Sequence, residues 1–264
     1  MSRYLKTGLV KMSELAEIAG NIATVRERIA TACAKRSPEL QSVCEQPRLV
    51  AVSKKKSLQH VLRAYEAGVE NFGENYVQEL VEKASCSEME NCPNIKFHFI
   101  GHLQKNKVSK LLSAGDRLFM IETIDSAPLA KHVNDAVAKR KVETPLNVML
   151  QINTSGEDSK SGAEPDSCVT IAKFIIEECK QLNLKGLMTI GSWEQSTSDS
   201  DENKDFKLLS SLREKVCKEL NLERKNVELS MGMSADYEDA IVQGSTNVRV
   251  GSFIFGARVP PPET

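Results

Sequence analysis

No stretch of this chain approaches the roughly 18 consecutive apolar residues that a membrane-crossing helix needs. Its longest greasy runs are strand-sized, which predicts a soluble protein with no membrane partner. Charge of one sign is also lacking. The 35 Lys and Arg against 36 Asp and Glu leave a formal net charge of -1, so no overall field gathers nucleic acid or an anionic surface. The seven cysteines are scattered and show no CxxC spacing, which argues against a disulfide framework or a zinc module and suits buried thiols in a reducing compartment. A secretory signal is missing too, because MSRYLKTGLVKMSELAE has neither an apolar core nor a small-residue cleavage site. The expected address is cytoplasmic, with a mitochondrial fraction left open by the acid-free start from Met1 to Met12. At 264 residues, 41% hydrophobic and 27% charged, the composition is that of an ordinary globular protein.

From Ser13 to Arg36 the apolar positions Leu15, Ile18, Ile22, Val25, Ile29 and Ala32 recur at spacings of three and four, predicting one long helix. Its narrow stripe suits either packing on its own domain or a coiled-coil partner. A loop containing Ser37, Pro38 and Pro47 follows. Eight β-like runs come next, at 48–53, 70–75, 96–101, 117–124, 146–153, 184–191, 227–232 and 247–256. Several are continuously apolar, as strands buried on both faces are. Between them lie helical signals: Leu58, Val61, Leu62 and Tyr65 after the capping Ser57, then 74–84, 104–113, 127–141, 165–182, 203–220 and 235–243. Eight strands alternating with helices specify a single (β/α)8 TIM barrel with an extra N-terminal helix. A doubly wound open sheet is the rival, disfavoured because SKKKS stands where a glycine-rich dinucleotide fingerprint would follow the first strand. The expected organisation is a flexible tail over 1–12, the barrel over 13–258 and a tail over 259–264. The acidic stretch 192–203 reads as a solvated loop with Trp193 as its packing anchor.

Functional groups of such a barrel lie at the carboxyl ends of its strands. Lys54 ends the first run, where burial that weakens its charge makes its amine a better nucleophile and Lys55 and Lys56 push the same way. The plain alternative is a solvated basic loop end. After the seventh run, Gly232 allows a turn and Ser234 is placed to cap a helix, whose N-terminus suits a phosphate. The eighth run supplies the backbone N–H groups of Gly251 and Ser252, which are placed to approach the same anion. Arg249, in an otherwise apolar strand, requires an acceptor, which a ligand or a structural salt bridge would both supply. An amine facing a phosphate cradle describes a site for a phosphorylated aldehyde, and pyridoxal phosphate fits.

The blocks LVAVSK, FGENYVQE, HFIGHLQKNK, LQINTSGEDSKSG, GLMTIG, LSMGMSADYEDAI and GSTNVRVGSFIFGAR resemble, in content and order, those of the pyridoxal phosphate homeostasis proteins, the YggS/PROSC family. The similarity runs from Arg48 to Arg258 and is greatest to the animal members. It implies a barrel like the alanine racemase N-terminal domain, with pyridoxal phosphate held as a Schiff base on Lys54. It further implies phosphate contacts from Ser234, Gly251 and Ser252, Arg249 near the pyridine nitrogen, and Asn75 and Met231 lining the cofactor. Family members usually carry a threonine or similar residue where this chain has Lys55.

A cation opposite the ring nitrogen disfavours the protonated, electron-withdrawing ring that carbanion chemistry uses. The chain also ends at Thr264, without room for the second domain of a racemase. The expectation is therefore a monomeric carrier that buffers the cofactor and delivers it, with apo-forms of pyridoxal phosphate-dependent enzymes as candidate recipients and no robust catalysis. An amino-acid racemase or decarboxylase is the alternative, and a phosphosugar aldolase using Lys54 a third reading. No metal site is expected from His98 and His102, whose spacing is interrupted by Gly101 at a strand end. Glu157 and Asp158 read as loop-ordering acids, and Lys105, Lys107 and Lys110 as a solvated helix face with no nucleic-acid role.

Overall fold

The computed structural model describes residues 12–44, 46–140, 144–157, 160–192, 194–195 and 202–256. The N-terminal tail before Met12, Trp193, Asp158, most of the acidic loop and the tail over 259–264 lie outside the described residues. Eight parallel strands close into a barrel in chain order. They are β1 (Arg48–Val52), β2 (Asn71–Glu74), β3 (Lys96–Phe99), β4 (Leu118–Ile124), β5 (Leu146–Gln151), β6 (Leu182–Met188), β7 (Glu228–Ser230) and β8 (Asn247–Val250). Register pairs such as Leu49 with Val248 and Ala51 with Val250 join the last strand to the first.

The helices are α1 (Met12–Ala34), α2 (Pro38–Val43), α3 (Leu58–Glu66), α4 (Val77–Ala84), α5 (Val108–Leu112), α6 (Ala127–Ala138), α7 (Cys168–Glu178), α8 (Lys204–Glu219), α9 (Tyr237–Val242) and α10 (Ser252–Phe255). Two expectations are corrected. The segment after α1 is not all loop: Ser37 accepts the Leu40 N–H at 3.3 Å, and Pro38 takes the first helical position of α2. The eighth β-like run is also too long. At Gly251 the chain leaves the sheet, and SFIF coils into α10, because an apolar run this short has no period by which strand and helix differ.

That second correction explains the extra helix. Among the described residues after β8 the one helix is the four-residue α10, too short to cover the outside of β8. Helix α1 packs against α3, α9 and α10, and so stands where the eighth outer helix belongs. Its stripe of Ile18, Ile22, Val25, Ile29 and Ala32 is wholly buried there, each isoleucine contributing roughly 1.5–3 kcal/mol. The stripe is thus core, not a coiled-coil seam.

Along each strand alternate side chains point into the lumen, which here is polar. Glu122 accepts from the Ser230 hydroxyl at 2.6 Å and from Asn247 Nδ2 at 3.1 Å, and pairs with His98 Nδ1 at 2.6 Å. Arg48 pairs with Glu228 at 2.6 Å. Burial opposes the Glu122 charge, but His98, Arg249 and Ser230 outweigh it and hold the carboxyl at about 2 against an ordinary 4.5. A carboxyl whose folded value lies below its unfolded one stabilises the fold above the unfolded value. That stabilisation is lost as pH falls through the folded one, and here it is on the order of 3 kcal/mol. Glu122→Gln is therefore expected to be less stable than wild type at neutral pH, with the two melting curves converging as the pH falls towards 2. A constant gap between them would show that Glu122 carries no such charge.

Candidate functional site

At the carboxyl ends of the strands lies a cleft of about 550 Å³, whose lining includes Lys54, Asn75, Ser234, Arg249, Gly251 and Ser252. Six of the seven residues expected from the sequence therefore meet at one place. Met231 does not. It is fully buried among Leu150, Ile152, Leu187, Leu229 and Ala240, in the layer between sheet and helices. The reason is strand alternation: Ser230 points into the lumen to bond Arg249, so its neighbours Leu229 and Met231 point outward. Met188 and Met233 line the cleft instead.

Lys54 is half-buried in a tight turn after β1, and the next residue, Lys55, is left-handed with φ of 61°. Lys56 also lines the cleft and donates from Nζ to the Phe255 carbonyl. On the opposite wall, Ser234 is not the helix cap. Asp236 takes that position and accepts the Met233 N–H at 2.6 Å. The Ser234 hydroxyl oxygen instead accepts the Gly251 N–H at 3.1 Å, tying the β7 loop to the β8 loop and leaving its own proton to donate. Gly232 permits this turn. Its φ is +93°, and a Cβ there would lie 2.6 Å from the Ala240 Cβ.

Arg249 closes the bottom of the cleft. Its Nη2 donates to the Thr189 carbonyl at 2.7 Å and its Nη1 to the Ser230 hydroxyl, not to a carboxylate. Burial lowers its pKa, while Glu122 and Asp236 act in the other direction; an arginine remains a cation throughout. Asn75 contributes a buried Oδ1 with no hydrogen-bond partner among the described residues. On a residue that lines the cleft, that oxygen is an acceptor open to a polar ligand.

The histidines separate. His98 sits in the lumen, with Nδ1 on Glu122 and Nε2 on Asn71 at 3.1 Å. His102 is exposed, and both Ser161 (3.1 Å) and Asp125 (3.7 Å) face its Nδ1. A serine and an acid on the same nitrogen cannot form a nucleophilic triad, which needs one on each. The sequence reading missed Met188, Ile190 and Phe253 as lining residues. Strand alternation around Leu187 held a signal for Met188; Ile190 follows the end of β6 in a loop and Phe253 lies in the four-residue α10, where periodicity gives none.

The molecule is thus a (β/α)8 barrel whose carboxyl-end rim holds a cleft with an amine after β1 and hydroxyl and backbone donors after β7 and β8. Residues 14–259 match the profile of the family described as alanine racemase, N-terminal domain. The chain is 51% identical over 238 residues to the pyridoxal phosphate homeostasis protein of Homo sapiens, covering 90% of this chain and 85% of that one. To the protein of the same name from Haemophilus influenzae it is 39% identical, covering 91% and 96%. The chain belongs to the pyridoxal phosphate homeostasis protein family. Among solved structures, an unknown protein from Bifidobacterium adolescentis is similar at a TM-score of 0.81 and 32% identity, covering 96% of this chain and 100% of that one. PipY of Synechococcus elongatus, solved with PLP bound, is similar at 0.70 and 26%, covering 90% and 100%. An alanine racemase of Clostridium difficile shares the fold at 0.63 and 14%, with 89% of this chain corresponding to 61% of that one.

Proposed function

We propose that this protein binds pyridoxal phosphate covalently through Lys54 and takes part in cellular vitamin B6 homeostasis, buffering the cofactor and handing it on. The observation that carries this reading is the single cleft lined on one wall by the Lys54 amine and on the other by Ser234 and Ser252, with Arg249 beneath. The orphaned Asn75 Oδ1 supports the fit of a polar ligand. When bound, pyridoxal phosphate supplies an aldehyde carbon to which an amine can attach. Lys54 would provide the amine, the Ser234 hydroxyl and Ser252 N–H would hold the anionic end, and Arg249 would supply a fixed cation at the base of the site.

The choice between carrier and enzyme rests on what else lines the cleft. Its described titratable residues are Lys54, Lys56 and Arg249. Racemisation needs a second acid or base on the far side of the substrate; besides Lys54 and Arg249 the described lining offers Lys56, whose Nζ is engaged by the Phe255 carbonyl, and includes no carboxylate, histidine, tyrosine or cysteine for that task. We therefore favour delivery to apo-forms of pyridoxal phosphate-dependent enzymes over turnover of an amino acid, in a monomer of the reducing cytoplasm, a setting that its seven free cysteines suit.

The purified protein should develop violet absorbance with pyridoxal phosphate, and borohydride should fix one equivalent to the chain. Pyridoxal, which lacks the phosphate, should bind about a hundredfold more weakly, because one or two charge-assisted hydrogen bonds are lost. The loaded protein should restore an apoenzyme while leaving a panel of L-amino acids neither racemised nor decarboxylated. Absence of any chromophore would refute the binding site, and sustained turnover would establish the racemase or decarboxylase reading instead.

A further inference from the structure

Behind Lys54, away from the cleft, three charged side chains are buried together. Lys83 on α4 directs Nζ to Glu74 Oε1 at 2.7 Å, to Glu79 Oε1 at 2.9 Å and to the Ser53 carbonyl at 2.9 Å. All three ammonium protons are thereby used. Glu79 Oε1 also accepts the Lys55 N–H at 2.7 Å, and Glu74 Oε1 accepts the Ser53 hydroxyl at 2.6 Å. None of these four side chains is exposed. The cluster therefore grips the backbone on both sides of Lys54, at the carbonyl of the residue before it and at the N–H of the residue after it.

Two physical points argue that this is more than packing. Ion pairs withdrawn from water contribute little net stability, and an apolar set of the same volume often serves a fold as well or better. Lys55 is also held left-handed, a conformation that disfavours non-glycine residues and persists where surrounding contacts impose it. The bond from its N–H to Glu79 is such a contact. Burial first, and Glu74 second, push the Glu79 carboxyl up to about 7 against the pull of Lys83.

We propose that Glu74, Glu79 and Lys83 are positioning residues that fix the Lys54 turn so that its amine is aimed into the cleft for attack on an aldehyde. The inference rests on the reading of Lys54 as the pyridoxal phosphate lysine. In the step served, the amine nitrogen bonds to the aldehyde carbon and the carbonyl oxygen departs as water with two protons, with no change in oxidation state overall. The residues act through the backbone of the turn and touch no ligand.

The test compares wild type with Glu79→Ala, Glu79→Gln and the apolar triple variant Glu74→Leu/Glu79→Leu/Lys83→Met. Each is incubated with pyridoxal phosphate and, separately, with pyridoxal, and borohydride-trapped label on Lys54 is followed by mass spectrometry, alongside melting curves of the ligand-free proteins. Glu79→Ala and the triple variant should label at least tenfold more slowly, by the same factor with both aldehydes, because the defect lies at the amine and not at the phosphate. Glu79→Gln, which keeps an acceptor oxygen for the Lys55 N–H, should recover most of the rate. If the triple variant fails to fold, the contrast between Glu79→Ala and Glu79→Gln decides. Folded Glu79→Ala labelling at the wild-type rate, or Glu79→Gln as slow as Glu79→Ala, would overturn the proposal. A wild type that never labels would instead defeat the Lys54 reading itself.

Discussion

Replacing Lys54 with alanine is expected to abolish covalent capture of pyridoxal phosphate: no violet absorbance, no mass increment after borohydride, and residual affinity weaker by about a hundredfold or more, since the covalent link is gone and only phosphate and ring contacts remain. The fold should survive. Lys54 is half-buried in a turn beyond the end of β1, and removing one of three adjacent cations relieves repulsion, so the ligand-free melting temperature should change little. Lys56 provides an internal rival, because it lines the same cleft and its Nζ reaches the Phe255 carbonyl. A chromophore that persists in Lys54→Ala and vanishes in Lys56→Ala would move the attachment point two residues along the chain.

The second large effect concerns a residue with no side chain. A Cβ built on Gly101 would lie 2.0 Å from the Asn75 carbonyl oxygen and 2.7 Å from its carbon. Those are backbone atoms, which cannot swing aside as the end of a long side chain can. Nor can Gly101 retreat, because its own carbonyl is held by the Thr123 hydroxyl at 2.7 Å. Gly101→Ala should therefore cost on the order of 3 kcal/mol or more, lowering the melting temperature by roughly 10 °C in a chain of this size. The displaced backbone belongs to Asn75, whose unpartnered Oδ1 is buried at the cleft, so pyridoxal phosphate affinity should fall as well. A melting temperature and affinity both equal to wild type would mean that β2 and β3 part more easily at their ends than this geometry allows.

Seen from these residues, the legible part of the site is the part written in strand ends. Lys54 follows the first β-like run, Arg249, Gly251 and Ser252 belong to the eighth, and a parallel barrel gathers such positions at one rim, whereas Asn75 is named only by the family resemblance. Met231 lies outside the cleft because alternation through Leu229, Ser230 and Met231 sends the methionine outward. Ser234 lines the cleft without capping the helix after β7: its hydroxyl joins two loops whose proximity no local pattern reveals. The Glu79 and Lys83 pair was invisible for a different reason. At i and i+4 on a helix it reads as a solvated surface pair, and only the packing of α4 over the β1 and β2 ends buries it.

The sequence alone therefore determined that this is a barrel of eight strands, since hydrophobic periodicity and turn chemistry are local and each strand–helix unit carries its own, and it determined which amine and which loop residues meet at the rim. The tertiary structure decided what depends on contacts between distant segments. It turned α1 into the eighth outer wall, made SFIF a helix, filled the lumen with a charged network around Glu122, and set a buried cluster behind the Lys54 turn. Those outcomes depend on desolvation and on three-dimensional neighbours, which residue spacing along one chain does not encode.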